Sequence, residues 1–60
     1  MMTGSELRDA RTQRGWTLRQ MAEMLGVTRN RLHKYERGKQ PIPWYRQEQI
    51  EEVLYESESV

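Results

Sequence analysis

Residues 17–38, TLRQMAEMLGVTRNRLHKYERG, decide the fold of this 60-residue chain. The first half of this stretch places apolar residues at i, i+3, i+4 and i+7: Leu18, Met21, Ala22 and Leu25. That spacing is the apolar stripe of an amphipathic helix, so these residues are predicted to lie in the core. Gly26 ends the helix, because glycine tolerates the left-handed conformation found at helix C-termini.

The second half of the stretch predicts another short helix, residues 29–37, whose N-cap is Thr28. Its inner face is narrow and consists of Leu32 and Tyr35, three residues apart. Its outer face is polar and mostly cationic: Arg29, Asn30, His33, Lys34 and Arg37. A face of this kind is suited to contact with a polyanion.

The segment before this helix pair predicts a further helix. Thr3 and Glu6 fit a capping box at its start, and Gly15 ends it. Thr17 and Gln20 repeat the capping-box pattern at the start of the next helix. The starts of these two helices are therefore predicted by local sequence patterns in which a threonine is the N-cap.

A last helix is predicted over residues 44–55, after the proline-containing loop 39–43. Its buried stripe is spaced by one, three and four residues: Ile50, Val53 and Leu54. The prediction is an all-α, compact fold of four helices, or at most five, without a strand. Residues 1–56 are expected to form a single domain, and residues 57–60 a frayed C-terminal tail.

The composition excludes several classes of protein. Cysteine is absent, and the single histidine, His33, cannot build a metal site alone, so no metal or cofactor is expected. No apolar run approaches the ~20 residues that cross a bilayer, and no signal peptide is evident. We therefore expect a soluble cytoplasmic protein. So short a chain buries only about 60% of its unfolded surface, which favours stabilisation by self-association as a homodimer.

The net charge of +1 conceals a marked asymmetry. All ten lysines and arginines lie between Arg8 and Arg46, and only four carboxylates precede residue 47, which gives residues 1–46 a charge of +6. Residues 47–60 carry five glutamates and no cation, a charge of −5. The split predicts a basic working surface and an acidic C-terminal region.

Residues 7–39 follow the pattern L-R-x-A-R-x-x-R-G-W-T-L-R-Q-M-A-E-M-L-G-V-T-x-x-x-L-x-x-Y-E-R-G-K. This pattern resembles the Cro and phage-repressor (XRE-like) helix-turn-helix family over more than half of the chain. Its specific part is residues 17–38, because residue type and spacing agree there at the structural positions. The resemblance implies a lambda-repressor-like fold whose third helix lies in the major groove of double-stranded DNA.

Carried over by position, the resemblance implies which residues contact DNA. Base edges are assigned to the third helix: Arg29, Asn30 and Lys34, with His33 beside them. The chemistry agrees, since Arg and Lys donate to guanine O6 and N7 and Asn pairs with adenine. Backbone contacts are assigned to seven other residues: Thr17, Arg19, Gln20, Thr28, Arg31, Arg37 and Lys39.

The resemblance also implies a structural ion pair between Arg11 of the first helix and Glu36 at the end of the third. Two positions depart from the family pattern. Leu18 stands where the family commonly has a Gln that touches phosphate, and Met24 is apolar where a polar residue is usual. The leucine side chain cannot donate a hydrogen bond, so the phosphate contact is expected to shift to Arg19, Gln20 or Thr17.

Self-association is expected through the last helix and the acidic C-terminal region. The proposed dimer contacts are Trp44, Ile50, Val53 and Leu54. Trp44 has an alternative role, which is to cover Ile42. A dimer would present two DNA-contacting helices about 34 Å apart, which matches the half-sites of a palindromic or pseudo-palindromic operator.

These observations favour a small transcriptional regulator: a dimeric repressor or autorepressor, of phage or mobile-element type, that occludes a promoter. No constellation of nucleophile and base and no phosphate-binding loop occurs, so an enzyme is not expected. The alternative is an antitoxin-like or other protein-interaction module on the same frame. In that case Leu18, Met24 and Trp44 would bind a partner such as a toxin.

Overall fold

The computed structural model describes residues 2–58, and all regular structure in this part is helical. Four helices follow one another along the chain: α1 (Gly4–Gln13), α2 (Leu18–Leu25), α3 (Arg29–Glu36) and α4 (Trp44–Glu58). The prediction of an all-α fold with four helices is confirmed.

Each of the first three helices begins at a threonine N-cap, as the sequence predicts. Thr3 Oγ1 accepts from the Glu6 N–H at 3.1 Å, and the Thr3 N–H donates to Glu6 Oε1 at 2.8 Å. The bond from the Thr3 N–H foremost, and then the Thr3 side chain, lower the pKa of Glu6 because they stabilise its charged form. Thr17 and Gln20 form a second capping box at the start of α2.

The connection between α2 and α3 is only three residues long. Gly26 opens it with a φ of +70°, and the Val27 N–H donates back to the Ala22 carbonyl at 3.0 Å. Thr28 Oγ1 then accepts from the Arg31 N–H at 3.1 Å and starts α3. This glycine-to-threonine turn fixes the angle at which α3 leaves α2.

One hydrophobic core joins all four helices and the loop before α4. Its buried members are Leu7, Met21, Ala22, Leu25, Leu32, Tyr35, Ile42 and Ile50. The predicted stripe of α2 is buried except for Leu18, which is half-buried and packs against the core. Tyr35 is buried, as its spacing from Leu32 predicts.

The N-terminal end of α1 lies against the C-terminal end of α3, and Gly4 makes this approach possible. A β-carbon at Gly4 would lie 2.6 Å from the Glu36 carbonyl oxygen and closer still to that of Tyr35. Such a separation is shorter than van der Waals contact, so no residue with a side chain fits there without displacing a helix.

The C-terminal end of α4 differs from its prediction. The helix continues to Glu58, so residues 57 and 58 are helical where the sequence predicts a frayed tail; residues 59–60 lie outside the described part. Arg14 holds this end, because its Nε donates to Ser57 Oγ at 2.8 Å and its Nη2 donates to Glu58 Oε1 at 2.6 Å.

The buried face of α4 also corrects one predicted dimer contact. Ile50 is 0% exposed and belongs to the core, so its assignment to a dimer interface is wrong. Val53 and Leu54 are half-buried and pack against the same core. A small domain of marginal stability needs its apolar residues to complete its own core, and α4 contributes these three residues to it.

One backbone carbonyl attaches α4 to the end of α2. Arg46 Nη1 and Gln49 Nε2 both donate to the carbonyl oxygen of Leu25, at 3.1 and 2.9 Å. The last carbonyls of a helix have no intrahelical donor, so side chains of a neighbouring element commonly satisfy them. Here α4 holds the end of α2 directly before the turn to α3.

Candidate nucleic-acid interface

α3 presents one polar face to solvent, while Leu32 and Tyr35 anchor its other face in the core. Its exposed polar side chains, together with that of the residue after it, are Arg29, Asn30, Arg31, His33, Lys34 and Arg37. Within residues 2–58 none of these six side chains has a hydrogen-bond or ion-pair partner. All of their donors are therefore available to a ligand.

Helical spacing divides this face into two ridges. Arg29, His33 and Arg37 are four residues apart and form one ridge. Asn30 and Lys34, also four apart, form the ridge beside it. The structure thus brings the predicted base-contacting residues together on one surface, with Arg29 and His33 on one ridge and Asn30 and Lys34 on the ridge beside it.

The ion pair between Arg11 and Glu36 fixes this face relative to α1. Arg11 Nε donates to Glu36 Oε2 at 2.7 Å, and Nη2 donates to Oε1 at 3.1 Å. The third nitrogen, Nη1, donates to the Trp16 carbonyl at 2.8 Å. The side chains of Arg11 and Glu36 are only 11% and 3% exposed. One guanidinium group therefore joins α1, the connection to α2 and the end of α3.

The predicted backbone-contacting residues near α2 already have partners within the protein. The side chains of Thr17 and Gln20 are engaged in their capping box, and Thr28 caps α3. Arg19 lies 3.6 Å from Glu23, and both side chains are mostly exposed. The Thr hydroxyls, the Gln20 amide nitrogen and the Arg19 guanidinium retain donors that could reach a phosphate. Lys39 follows α3 and is exposed.

A groove of about 150 Å³ opens between α1, the start of α2 and α3. The residues that line this α1–α3 groove are Arg8, Arg11, Leu18, His33, Glu36 and Arg37. Leu18, the residue that departs from the resembled pattern, forms part of its wall. Arg8 was not predicted as a site residue; its sequence signal is a spacing of three residues from Arg11, which places both on one face of α1.

α4 exposes a second surface on the outside of the molecule. Trp44 and Tyr55 are each 72% exposed and Tyr45 is 56% exposed. The rings of Trp44 and Tyr45 meet edge to face, with centroids 6.0 Å apart. Trp44 therefore provides little cover for Ile42. The exposed glutamates of the middle of α4 lie between these aromatic residues: Glu48, Glu51 and Glu52.

No group of three or more metal-ligating side chains occurs among the described residues. Across residues 2–58, none of the helices has the length and apolar character needed to cross a membrane.

A family model described as a helix-turn-helix domain matches residues 4–54, which include α1 to α3 and most of α4. The chain belongs to this helix-turn-helix family. A relative from Thermococcus kodakarensis, named "Putative HTH-type transcriptional regulatory protein", is 36% identical over 56 residues. Those residues are 93% of this chain and 18% of the relative, so the chain spans less than a fifth of that protein. No solved structure matches the chain significantly.

The helix-turn-helix motif of this chain consists of α2, the turn at residues 26–28, and α3. In such motifs the second helix enters the major groove and its N-terminal residues contact base edges. Arg29 and Asn30 occupy that end of α3, and both are exposed.

Proposed function

We propose that this protein regulates transcription by binding double-stranded DNA sequence-specifically through α3. Membership of the helix-turn-helix family and the name of the Thermococcus relative support DNA binding and transcription regulation. The observation that carries the proposal is the outer face of α3, whose six exposed polar side chains have no partner among the described residues. The proposed activity is binding, with no catalytic step.

In the proposed complex, the N-terminal end of α3 lies in the major groove. Arg29 and Lys34 donate to guanine, and Asn30 pairs with adenine; a good bidentate pair discriminates by ~1–3 kcal/mol against the wrong base. The remaining cations near this face contact phosphates and set the position of the helix without reading sequence. They are Arg19, Arg31, Arg37 and Lys39, assisted by the polar side chains of Thr17, Gln20 and Thr28.

We further propose a homodimer that is centred on the first turn of α4. Aromatic residues are enriched in protein interfaces, and Trp44 and Tyr45 are exposed there. A two-fold axis through the middle of α4 would instead bring Glu48, Glu51 and Glu52 of one copy against the same carboxylates of the other. Like charges in contact oppose association, so the N-terminal turn is the better centre.

Two copies joined in this way present two α3 helices to one face of the duplex, about 34 Å apart, as a palindromic or pseudo-palindromic operator requires. We propose that the bound dimer represses transcription by occupying a promoter, including its own, in the cytoplasm of a prokaryotic or phage-infected cell. The resemblance to phage repressors over residues 7–39 supports this mode of action.

Selection of binding sites from random duplexes tests the proposal directly. We expect an enriched motif made of two half-sites in opposite orientation. The matched control is the triple variant Arg29→Ala, Asn30→Ala, Lys34→Ala, which retains the core and should enrich no motif. Failure of the unaltered protein to enrich any sequence would exclude a sequence-specific regulator, and a single half-site would exclude the dimer.

A protein-interaction module is the second candidate, because Met24 is 43% exposed and Trp44 is 72% exposed. Such a module would use these residues and Leu18 to bind a partner such as a toxin. The two candidates differ in salt dependence, since DNA binding weakens with a log–log slope of about −0.9 for each phosphate contacted. Binding to duplex DNA that is absent, or that does not depend on salt, would favour the protein-interaction module.

A further inference from the structure

We propose that Arg8, His33 and Arg37 together clamp one phosphate of the DNA backbone in the α1–α3 groove. This inference rests on the proposed DNA binding and goes beyond it in two respects. It assigns a ligand contact to Arg8, and it places His33 on the phosphate and not on a base edge.

The groove has the size and the donors that such a contact needs. Its volume of about 150 Å³ corresponds to roughly five water molecules in the liquid, enough to admit the oxygens of a phosphodiester. Arg8 enters it from α1, while His33 and Arg37 enter it from α3. All three side chains are exposed, and within residues 2–58 none of them donates to another residue.

The electrostatics of the groove select an anion. Glu36 is the one carboxylate among the six lining residues, and both of its oxygens accept from Arg11. That pair is neutral, so the charges of Arg8 and Arg37 are not balanced within the groove. Guanidinium groups match the paired oxygens of a phosphate, and hydrogen bonds to ionised acceptors are the stronger ones.

The position of the groove indicates that the anion is part of DNA. His33 and Arg37 belong to the same ridge as Arg29, so the groove continues the surface of α3 that we place against the duplex. Leu18, at the first position of α2, forms part of its wall, and its side chain has no donor for a phosphate. Arg8 from α1, with His33 and Arg37 from α3, therefore supplies the phosphate contact that the Leu18 side chain cannot make.

Salt-dependent binding to the selected operator tests this clamp with three variants. Arg8→Gln should weaken binding to every duplex alike and make the log–log slope less negative by about 0.9, the value for one phosphate. Between 50 and 200 mM salt its affinity should therefore fall about 3.5-fold less than that of the unaltered protein. Arg8→Lys keeps the charge and should restore the slope. Gln13→Glu changes the net charge by the same amount at another exposed position of α1 and should leave the slope unaltered.

A second measurement separates the two roles of His33. His33→Ala should weaken binding to all duplexes and leave the preference among them unchanged, and a loss of preference at one base pair would overturn its place in the clamp. If Arg8→Gln and Gln13→Glu change the salt slope equally while the unaltered protein still selects its operator, the proposed clamp is wrong and the proposed function stands. If the unaltered protein selects no DNA sequence, both proposals fail.

Discussion

Arg11 donates to both carboxylate oxygens of Glu36, at 2.7 Å from Nε and 3.1 Å from Nη2, and so ties the last residue of α3 to α1. Both side chains are almost fully buried. The same guanidinium donates to the Trp16 carbonyl. It therefore connects α1, the segment between α1 and α2, and the end of α3. The orientation of the proposed DNA-contacting helix depends on this contact.

Removing either partner of this pair should destabilise the fold strongly. Glu36→Ala or Arg11→Ala leaves one buried charge without compensation, which costs ~3–5 kcal/mol in comparable cases. The free energy of unfolding of a domain this small is itself roughly 3–9 kcal/mol. Urea denaturation followed by circular dichroism measures the loss. The matched control is Glu23→Ala in the exposed pair with Arg19, which should cost less than about 1 kcal/mol; equal losses in the two pairs would contradict the structural role.

Gly4→Ala should destabilise the protein although it lies in a helix. Alanine normally stabilises a helix interior by up to about 1 kcal/mol relative to glycine. Here its β-carbon would lie 2.6 Å from the Glu36 carbonyl oxygen and would force α1 away from α3. We expect a net loss of ~1–3 kcal/mol, as for other overpacked sites. Ser5→Ala, at the next and exposed position, is the control, and a gain in stability from Gly4→Ala would refute the close approach.

Substitutions in α3 should divide into two classes of effect on DNA binding. Asn30→Ala or Arg29→Ala should reduce discrimination between the operator and its single-base variants by ~1–3 kcal/mol. Arg31→Ala should weaken binding to all of these duplexes equally, because a phosphate contact carries no sequence information. Competition binding against the set of single-base variants distinguishes the classes. An unchanged preference in Arg29→Ala would mean that the assigned face of α3 is wrong.

Trp44→Ala should shift the protein from dimer to monomer at micromolar concentration. Tyr55→Ala is the control, because Tyr55 has the same 72% exposure at the other end of α4. Sedimentation velocity measures the mass of each variant, and circular dichroism checks that its fold is retained. If Tyr55→Ala dissociates the dimer and Trp44→Ala does not, the two-fold axis lies at the C-terminal end of the helix.

The capping box at Thr3 predicts a pH dependence of stability. The pKa of Glu6 is lowered in the folded protein, mainly by the Thr3 backbone N–H that donates to its carboxylate. A lowered pKa contributes stability above the unfolded value, near 4.5, and this contribution is lost as the pH falls through the folded value. Glu6→Gln keeps an acceptor but does not titrate. The Tm advantage of the unaltered protein over Glu6→Gln should therefore be largest at neutral pH and shrink below pH 4.5; a constant difference would contradict this account.

Apart from the ion pair between Arg11 and Glu36, which the family resemblance implies, the parts of the fold that the sequence predicts are those governed by local chemistry. Thr3, Thr17 and Thr28 cap helices because their partners lie three residues away. The stripe of α2 and the pair Leu32 and Tyr35 follow from helical periodicity. The polar outer face of α3 can be predicted from the sequence for the same reason, because residues three and four apart on a helix lie on the same side of it.

The parts that escape prediction rest on contacts between distant residues. Arg46 and Gln49 reach the Leu25 carbonyl across 21 and 24 residues, and Arg14 reaches Ser57 across 43. None of these three sequence separations leaves a periodic signal. The sequence alone does not show whether Ile50 lies in the core or in a dimer interface, since both positions require an apolar residue on one face of a helix.

The attachments before and at the end of α3 have a consequence for the DNA that we expect it to bind. Arg46 and Gln49 hold the chain directly before the turn into this helix, and Arg11 holds its last residue. A helix held in this way resists tilting to fit an imperfect site, so we expect the duplex to bend or change its twist instead. The energy of that deformation depends on the base steps involved, flexible pyrimidine–purine steps being the easiest to distort. We therefore expect the operator to be selected partly for its mechanical compliance, at base pairs that no side chain of this protein touches.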